Sequence, residues 1–106
     1  MKIKIPTKSA SALKKKIFDA VEDETLKTWV LRRSQEGYIY LTHKPEQWYD
    51  KAILSFITTD NALEIHVTHW TGIQQDLAVD GYYLGRFIEV LLVHFSADYQ
   101  YFEVFR

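Results

Sequence analysis

The 106-residue sequence contains no cysteine, only two prolines, four glycines and a single methionine. Without cysteine there can be no disulfide, thiolate nucleophile, iron–sulfur cluster or cysteine-based zinc site, a composition that fits a reducing compartment and leads to the expectation of a cytoplasmic protein. The glycines, at 37, 72, 81 and 85, are too dispersed for a phosphate-cradling loop, and the G-x-S-x-G, H-E-x-x-H and EF-hand patterns are missing. No cofactor and no metal is therefore expected. Long apolar runs are scarce too. The longest aliphatic stretch is Val90-Leu91-Leu92-Val93, and the opening Met-Lys-Ile-Lys-Ile-Pro lacks the apolar centre of a secretory signal, so neither secretion nor membrane insertion is expected.

Charge is nearly balanced at −1 but unevenly placed. Residues 1–33 carry nine Lys or Arg against four acids, and residues 34–106 carry four against ten. Such asymmetry can mark a basic face for nucleic acid, with Lys2, Lys4, Lys8 and Lys14–Lys16 meeting phosphates and exposed rings stacking on bases. The acidic remainder argues against that reading, and folding can mix the two sets over one surface.

What is abundant is apolar and aromatic surface, 47% and 15% of residues, enough for one core of ordinary size in a single domain spanning residues 1–106. Met1, Ile3 and Ile5 alternate with lysines up to Pro6, the period of a short strand, with its lysines suiting a sheet edge. Ala10, Leu13, Ile17, Ala20 and Val21 then recur at helical spacing, predicting a first helix over 9–22. From Leu26 the period becomes two, and β-branched and aromatic residues predict four strands over 26–33, 38–43, 51–59 and 62–71, parted by turns at Gly37, Pro45 and Asp60-Asn61. Leu84, Phe87, Ile88, Leu91, Leu92 and Phe95 mark a second helix beginning near Asp80 as N-cap, and Tyr99–Phe105 reads as a last strand. The order β-α-β-β-β-β-α-β implies an α+β fold in two layers, an antiparallel sheet with both helices on one face.

Several residue groups have functional potential. His66 and His69 have a spacing that binds metal on a helix, but on a strand they point to opposite faces. Glu64 and His66 share a face, where a carboxylate can tune an imidazole for acid–base work, the basis of one reading as a small-ligand binder or hydrolase-like enzyme using Tyr38 or Tyr40 as further polar groups. Asp19, Glu22, Asp23 and Glu24 crowd the C-terminal end of the first helix, where the macrodipole disfavours anions, so pairing with Lys15, Lys16, Arg32 or Arg33 is expected to offset them. Gly81 and Gly85 form a G-x-x-x-G spacing that ordinarily permits close packing. With Leu31 and Ile39 facing the helices, Tyr38, Tyr40 and Trp70 would dress the opposite sheet face, a composition suited to an interface. The second helix also carries more apolar circumference than one buried stripe requires, through Tyr83, Val90 and Val93. The leading expectation is thus a non-enzymatic interaction domain, a homodimer or a partner of another protein, with Tyr38, Tyr40, Trp70, Tyr83, Val90 and Val93 as candidate contacts.

Overall fold

Ile3 and Ile5 are fully buried while Lys2 and Lys4 stay partly accessible, so the period of two at the start of the chain becomes β1, Lys2–Pro6. The computed structural model describes residues 1–106. After β1 come α1 (Ala10–Glu22), β2 (Trp29–Arg33), β3 (Ile39–His43), β4 (Ile53–Thr58), β5 (Ala62–Thr68), α2 (Leu77–His94), a 3-10 turn over Ser96–Asp98 and β6 (Glu103–Phe105). All strand pairings are antiparallel, in the order β2-β3-β4-β5-β1-β6.

The register decides which side of the sheet is covered. Ile3 lies beside Ile65 and Ile5 beside Leu63, while across the next strand Phe56 lies beside Ile65 and Leu54 beside Val67. This set faces the helices. Phe56 meets Phe18 of α1 edge-on at 5.1 Å and Phe87 of α2 at 5.7 Å, so both helices lie on one face of the sheet. Trp29 of β2 completes the aromatic centre, with Phe87 at 5.3 Å and Tyr83 at 5.8 Å. Such edge-to-face pairs add about 0.5–1.5 kcal/mol each beyond the area they bury. Leu13 and Ile17 on α1 and Leu84 and Leu91 on α2 are buried as their spacing predicts, whereas Ile88 is half-buried.

Two helix boundaries have local causes. Asp76 caps α2 by accepting from the Ala78 and Val79 amides at 2.9 and 3.5 Å, so α2 begins about one turn before the expected start. Asp80 is not the N-cap but a buried residue inside the first turn. At the other end of α1, Glu24 takes a positive φ of 65° and its amide donates to the Val21 carbonyl at 3.2 Å, a left-handed stop that glycine ordinarily supplies. Gly37, at φ 91°, closes the β2–β3 turn, its amide donating to the Ser34 carbonyl at 3.0 Å.

Other expectations are corrected. β1 is not an edge strand along its first part, because β6 pairs with Lys2–Lys4 on the side away from β5. Leu26 does not begin a strand; it is buried, and its amide donates to the Ala20 carbonyl at 3.1 Å, tucking the chain under the end of α1. No helix is long and apolar enough to cross a membrane.

Candidate functional site

The face of the sheet opposite the helices is where Glu64 and His66 come together. Glu64 Oε1 accepts from Lys2 Nζ at 3.2 Å and lies 3.0 Å from His66 Nε2. These two neighbours hold the Glu64 carboxyl below its usual range, the His66 hydrogen bond first and Lys2 next. The ammonium of Lys2 also sits 5.2 Å from the Phe105 ring. The cluster is a mutually satisfied polar patch, and five clefts elsewhere on the molecule are lined by other residues. Lys2 with Glu64, and Lys16 with Asp98 at 2.8 Å, join the basic first third of the chain to its acidic remainder. Lys15 pairs with Asp19 at 2.6 Å, which raises the lysine pKa and offsets one of the anions ending α1.

Tyr40 and Trp70 form the aromatic part of that face, edge-to-face at 5.4 Å. Arg32 covers them. Its guanidinium lies 5.7 Å from the Trp70 ring and 5.5 Å from Tyr49, and it donates to both Asp50 oxygens, at 3.1 and 2.8 Å. The bidentate carboxylate raises the Arg32 pKa further and fixes the fork in place. Tyr40 and Trp70 are thus half-buried within their own chain, while Tyr38 is left exposed.

His66 and His69 face different partners; β5 ends at Thr68, short of the expected 71, so His69 lies just past the strand. His69 Nε2 lies 2.7 Å from Asp80 Oδ1, and Gln75 Nε2 donates to the other Asp80 oxygen at 3.1 Å. Asp80 is 1% exposed, making this the most deeply placed acid–base pair of the molecule. It ties the end of β5 to the first turn of α2. Sequence periodicity does not reveal the pair, because residues 11 apart on a strand end and a helix carry no shared period. A second buried imidazole, His43, packs 4.8 Å from Trp29 and 5.5 Å from Tyr82; burial, and then Arg86, push its pKa down.

Two of the candidate contacts on α2 lie in the core. Tyr83 is fully enclosed, its hydroxyl donating to the Trp48 carbonyl and lying 3.0 Å from Thr42 Oγ1, and burial raises its pKa. Val90 is buried as well. Both belong to the stripe facing the sheet, so neither is available to a partner. Leu92, assigned by its spacing to that stripe, is instead 56% exposed, and Val93 and Leu77 are 71% and 68% exposed.

The outward side of α2 is therefore a second apolar surface. At 3.6 residues per turn, Leu77, Ala78, Gly81, Gly85, Ile88 and Leu92 fall within about 100° of the helix circumference. Arg86 and Glu89 flank it, paired to each other at 2.8 Å. Neither glycine is required by the fold: a Cβ at Gly81 or Gly85 would meet open space. Mid-helix glycine costs roughly 1 kcal/mol relative to alanine. The G-x-x-x-G spacing, which ordinarily permits close packing, does not by itself assign this surface, and a helix start near Asp80 leaves out Leu77 and Ala78. The sequence matches no protein-family model, and neither a curated protein nor a solved structure is detectably similar to it.

Proposed function

We propose that the protein is a self-associating interaction domain whose contact surface is the outward face of α2, packed against the same face of a second copy. The observation that carries this reading is the pair of mid-helix glycines facing open space between exposed aliphatic side chains. Two costly residues without a role in the chain's own packing are accounted for by a helix that must approach closely from outside. The order of side-chain sizes favours a copy over an unrelated partner. Leu77, Ala78 and Gly81 stand at one end of the stripe and Ile88 and Leu92 at the other, so an antiparallel twofold arrangement lays Ile88 of each helix over Gly81 of its mate and brings Leu92 beside the mate's Leu77. Arg86 and Glu89 lie on the same flank, where the twofold can exchange their pairing between copies.

The size of the surface sets the strength. An 18-residue helix is ~27 Å long, so a helix-on-helix contact sits at the low end of specific interface areas and supports association in the micromolar range. Sedimentation velocity across a concentration series tests this. A monomer–dimer equilibrium that Leu92→Glu abolishes supports the reading, and a monomer throughout the high micromolar range overturns it.

A further inference from the structure

β3 and β4 are registered through a single pair, Leu41 with Leu54, whereas β2 and β3 share five pairs and β4 and β5 share six. Beyond Leu41 and Leu54 the two strands part towards Gly37 and Thr58. A groove of about 960 Å³ occupies the opening, with Tyr38 and Tyr40 on one bank and Ser55 and Thr58 on the other. α1 runs beneath it and contributes Lys14, Phe18 and Glu22 to the lining.

The ladder phases identify which backbone groups face this opening. The Thr59 amide donates to the Ala62 carbonyl at 2.9 Å, so Ile57 and Ser55 turn their polar groups to β5, and Phe56 and Thr58 turn theirs away from it. The Ser34 amide donates to the Tyr38 carbonyl at 2.9 Å, so Arg32 and Tyr40 bond within the β2–β3 hairpin and Ile39 faces β4. Ile39 and Phe56 would be the next pair after Leu41 and Leu54, and their register is not made. A strand edge thus opens over an apolar floor, with Tyr38 and Ile57 exposed beside it.

We infer that this split is a docking site for an extended peptide that pairs with the free edge of β4, and that the charges of α1 select its sequence. This site is separate from the α2 face and stands or falls independently of it. Lys15 and Asp19 neutralise each other, which leaves Lys14 and Glu22 as the charges on the floor without an ion-pair partner. Eight helical residues separate them, ~12 Å. Four residues of strand span ~13 Å and bring positions i, i+2 and i+4 to one face. Running antiparallel to β4, the commoner pairing, the matching ligand carries an acidic residue at i over Lys14, an apolar residue at i+2 over Phe18 and a basic residue at i+4 over Glu22. α1 starts beside the β4–β5 turn, where the Thr7 amide donates to the Asn61 carbonyl at 2.9 Å, so the acidic residue lies at the open mouth of the split. Backbone pairing supplies affinity and the alternate side chains supply selection, as in strand addition to other sheets.

The probe is the acetylated and amidated peptide Thr-Asp-Thr-Ile-Thr-Lys-Thr, with the Asp and Lys exchanged in a control and two further versions N-methylated on alternate amides, one in each phase. Titration followed by amide NMR is expected to shift Ile39, Phe56 and Thr58, with about tenfold weaker binding of the exchanged peptide, as two surface ion pairs are reversed. The double variant Lys14→Glu with Glu22→Lys, both on the surface, should invert that preference. One of the two N-methylation phases should abolish binding. The Leu92→Glu variant, deficient in self-association, should bind the peptide unchanged, which separates this result from the α2 reading. Equal binding of the two charge orders, indifference to N-methylation in both phases, or no shift at millimolar peptide would each overturn the inference.

Discussion

The aromatic side of the sheet and the outward side of α2 both look like interfaces in composition, yet they differ in whether their residues already have partners. Around Trp70 the large groups pack within the chain: Tyr40 packs on Trp70, Arg32 lies over it, and Asp50 holds Arg32 through two hydrogen bonds, although the buried Trp70 indole N–H has no partner and Tyr38 stays exposed. On α2, Leu77, Leu92 and Val93 are largely exposed and the two glycines face open space. Tyrosine and tryptophan on a sheet face do not by themselves leave that face free for a partner, because the rings around Trp70 pack within their own chain. The comparison implies that substitutions around Trp70 lower stability without changing association, and substitutions on the outward face of α2 weaken association without lowering stability.

The largest expected effect falls on the tie between the two regions. His69→Ala leaves the buried Asp80 carboxylate with Gln75 alone, and breaking a buried pair in this way costs about 3–5 kcal/mol. Urea denaturation should show that loss, and a change under 1 kcal/mol would mean that the His69–Asp80 contact does not hold the end of β5 to α2. Arg32→Ala should cost less, about 1–2 kcal/mol, because its pair with Asp50 is only partly buried but its stem and fork also cover aromatic rings. Its sedimentation behaviour should match that of the parent; a lowered dimer fraction at equal folded fraction would move the interface to the sheet.

Replacing both glycines of α2 sharpens the contrast in the opposite direction. Gly81→Ala with Gly85→Ala should stabilise the isolated chain by roughly 1 kcal/mol per site, since no Cβ clash opposes the gain in helix propensity. The same variant should associate more weakly, because the added methyls hold the helices apart. Stabilisation accompanied by undiminished association would show that the glycines serve no close approach.

These expectations rest on parts of the molecule that were unequally legible in the sequence. Element order and the inward set, such as Ile3, Ile5, Leu63 and Ile65, could be read because strand and helix periods are local. Tyr83 and Leu92 exchanged places against expectation because the apolar circumference of α2 is wide, and only the packed sheet decides which part is covered. The His69–Asp80 pair and the split between β3 and β4 are tertiary facts. Neither has a spacing that a one-dimensional pattern can carry.

A smaller effect concerns acid. The folded-state pKa of His43 is held below its ordinary 6.5, mainly by burial, so stability is full above pH 6.5 and declines as pH falls from there through the lowered value. Glu64 is held below its ordinary 4.5 by His66 and Lys2, so its contribution is present above pH 4.5 and disappears as pH falls through its own lowered value. Thermal melts across pH should show both limbs, with His43→Phe removing the upper and Glu64→Gln the lower. Persistence of both limbs in these variants would assign the acid sensitivity elsewhere.

If α2 presents its outward face to a second copy, sedimentation equilibrium of the parent chain beside the single variant Gly85→Leu will show it. A Cβ at Gly85 meets open space in the isolated chain, so the variant should fold with unchanged or improved stability. The parent should form a concentration-dependent dimer and the variant should stay monomeric at every concentration up to the high micromolar range. Equal dimerisation of the two, or a parent that stays monomeric, would contradict it.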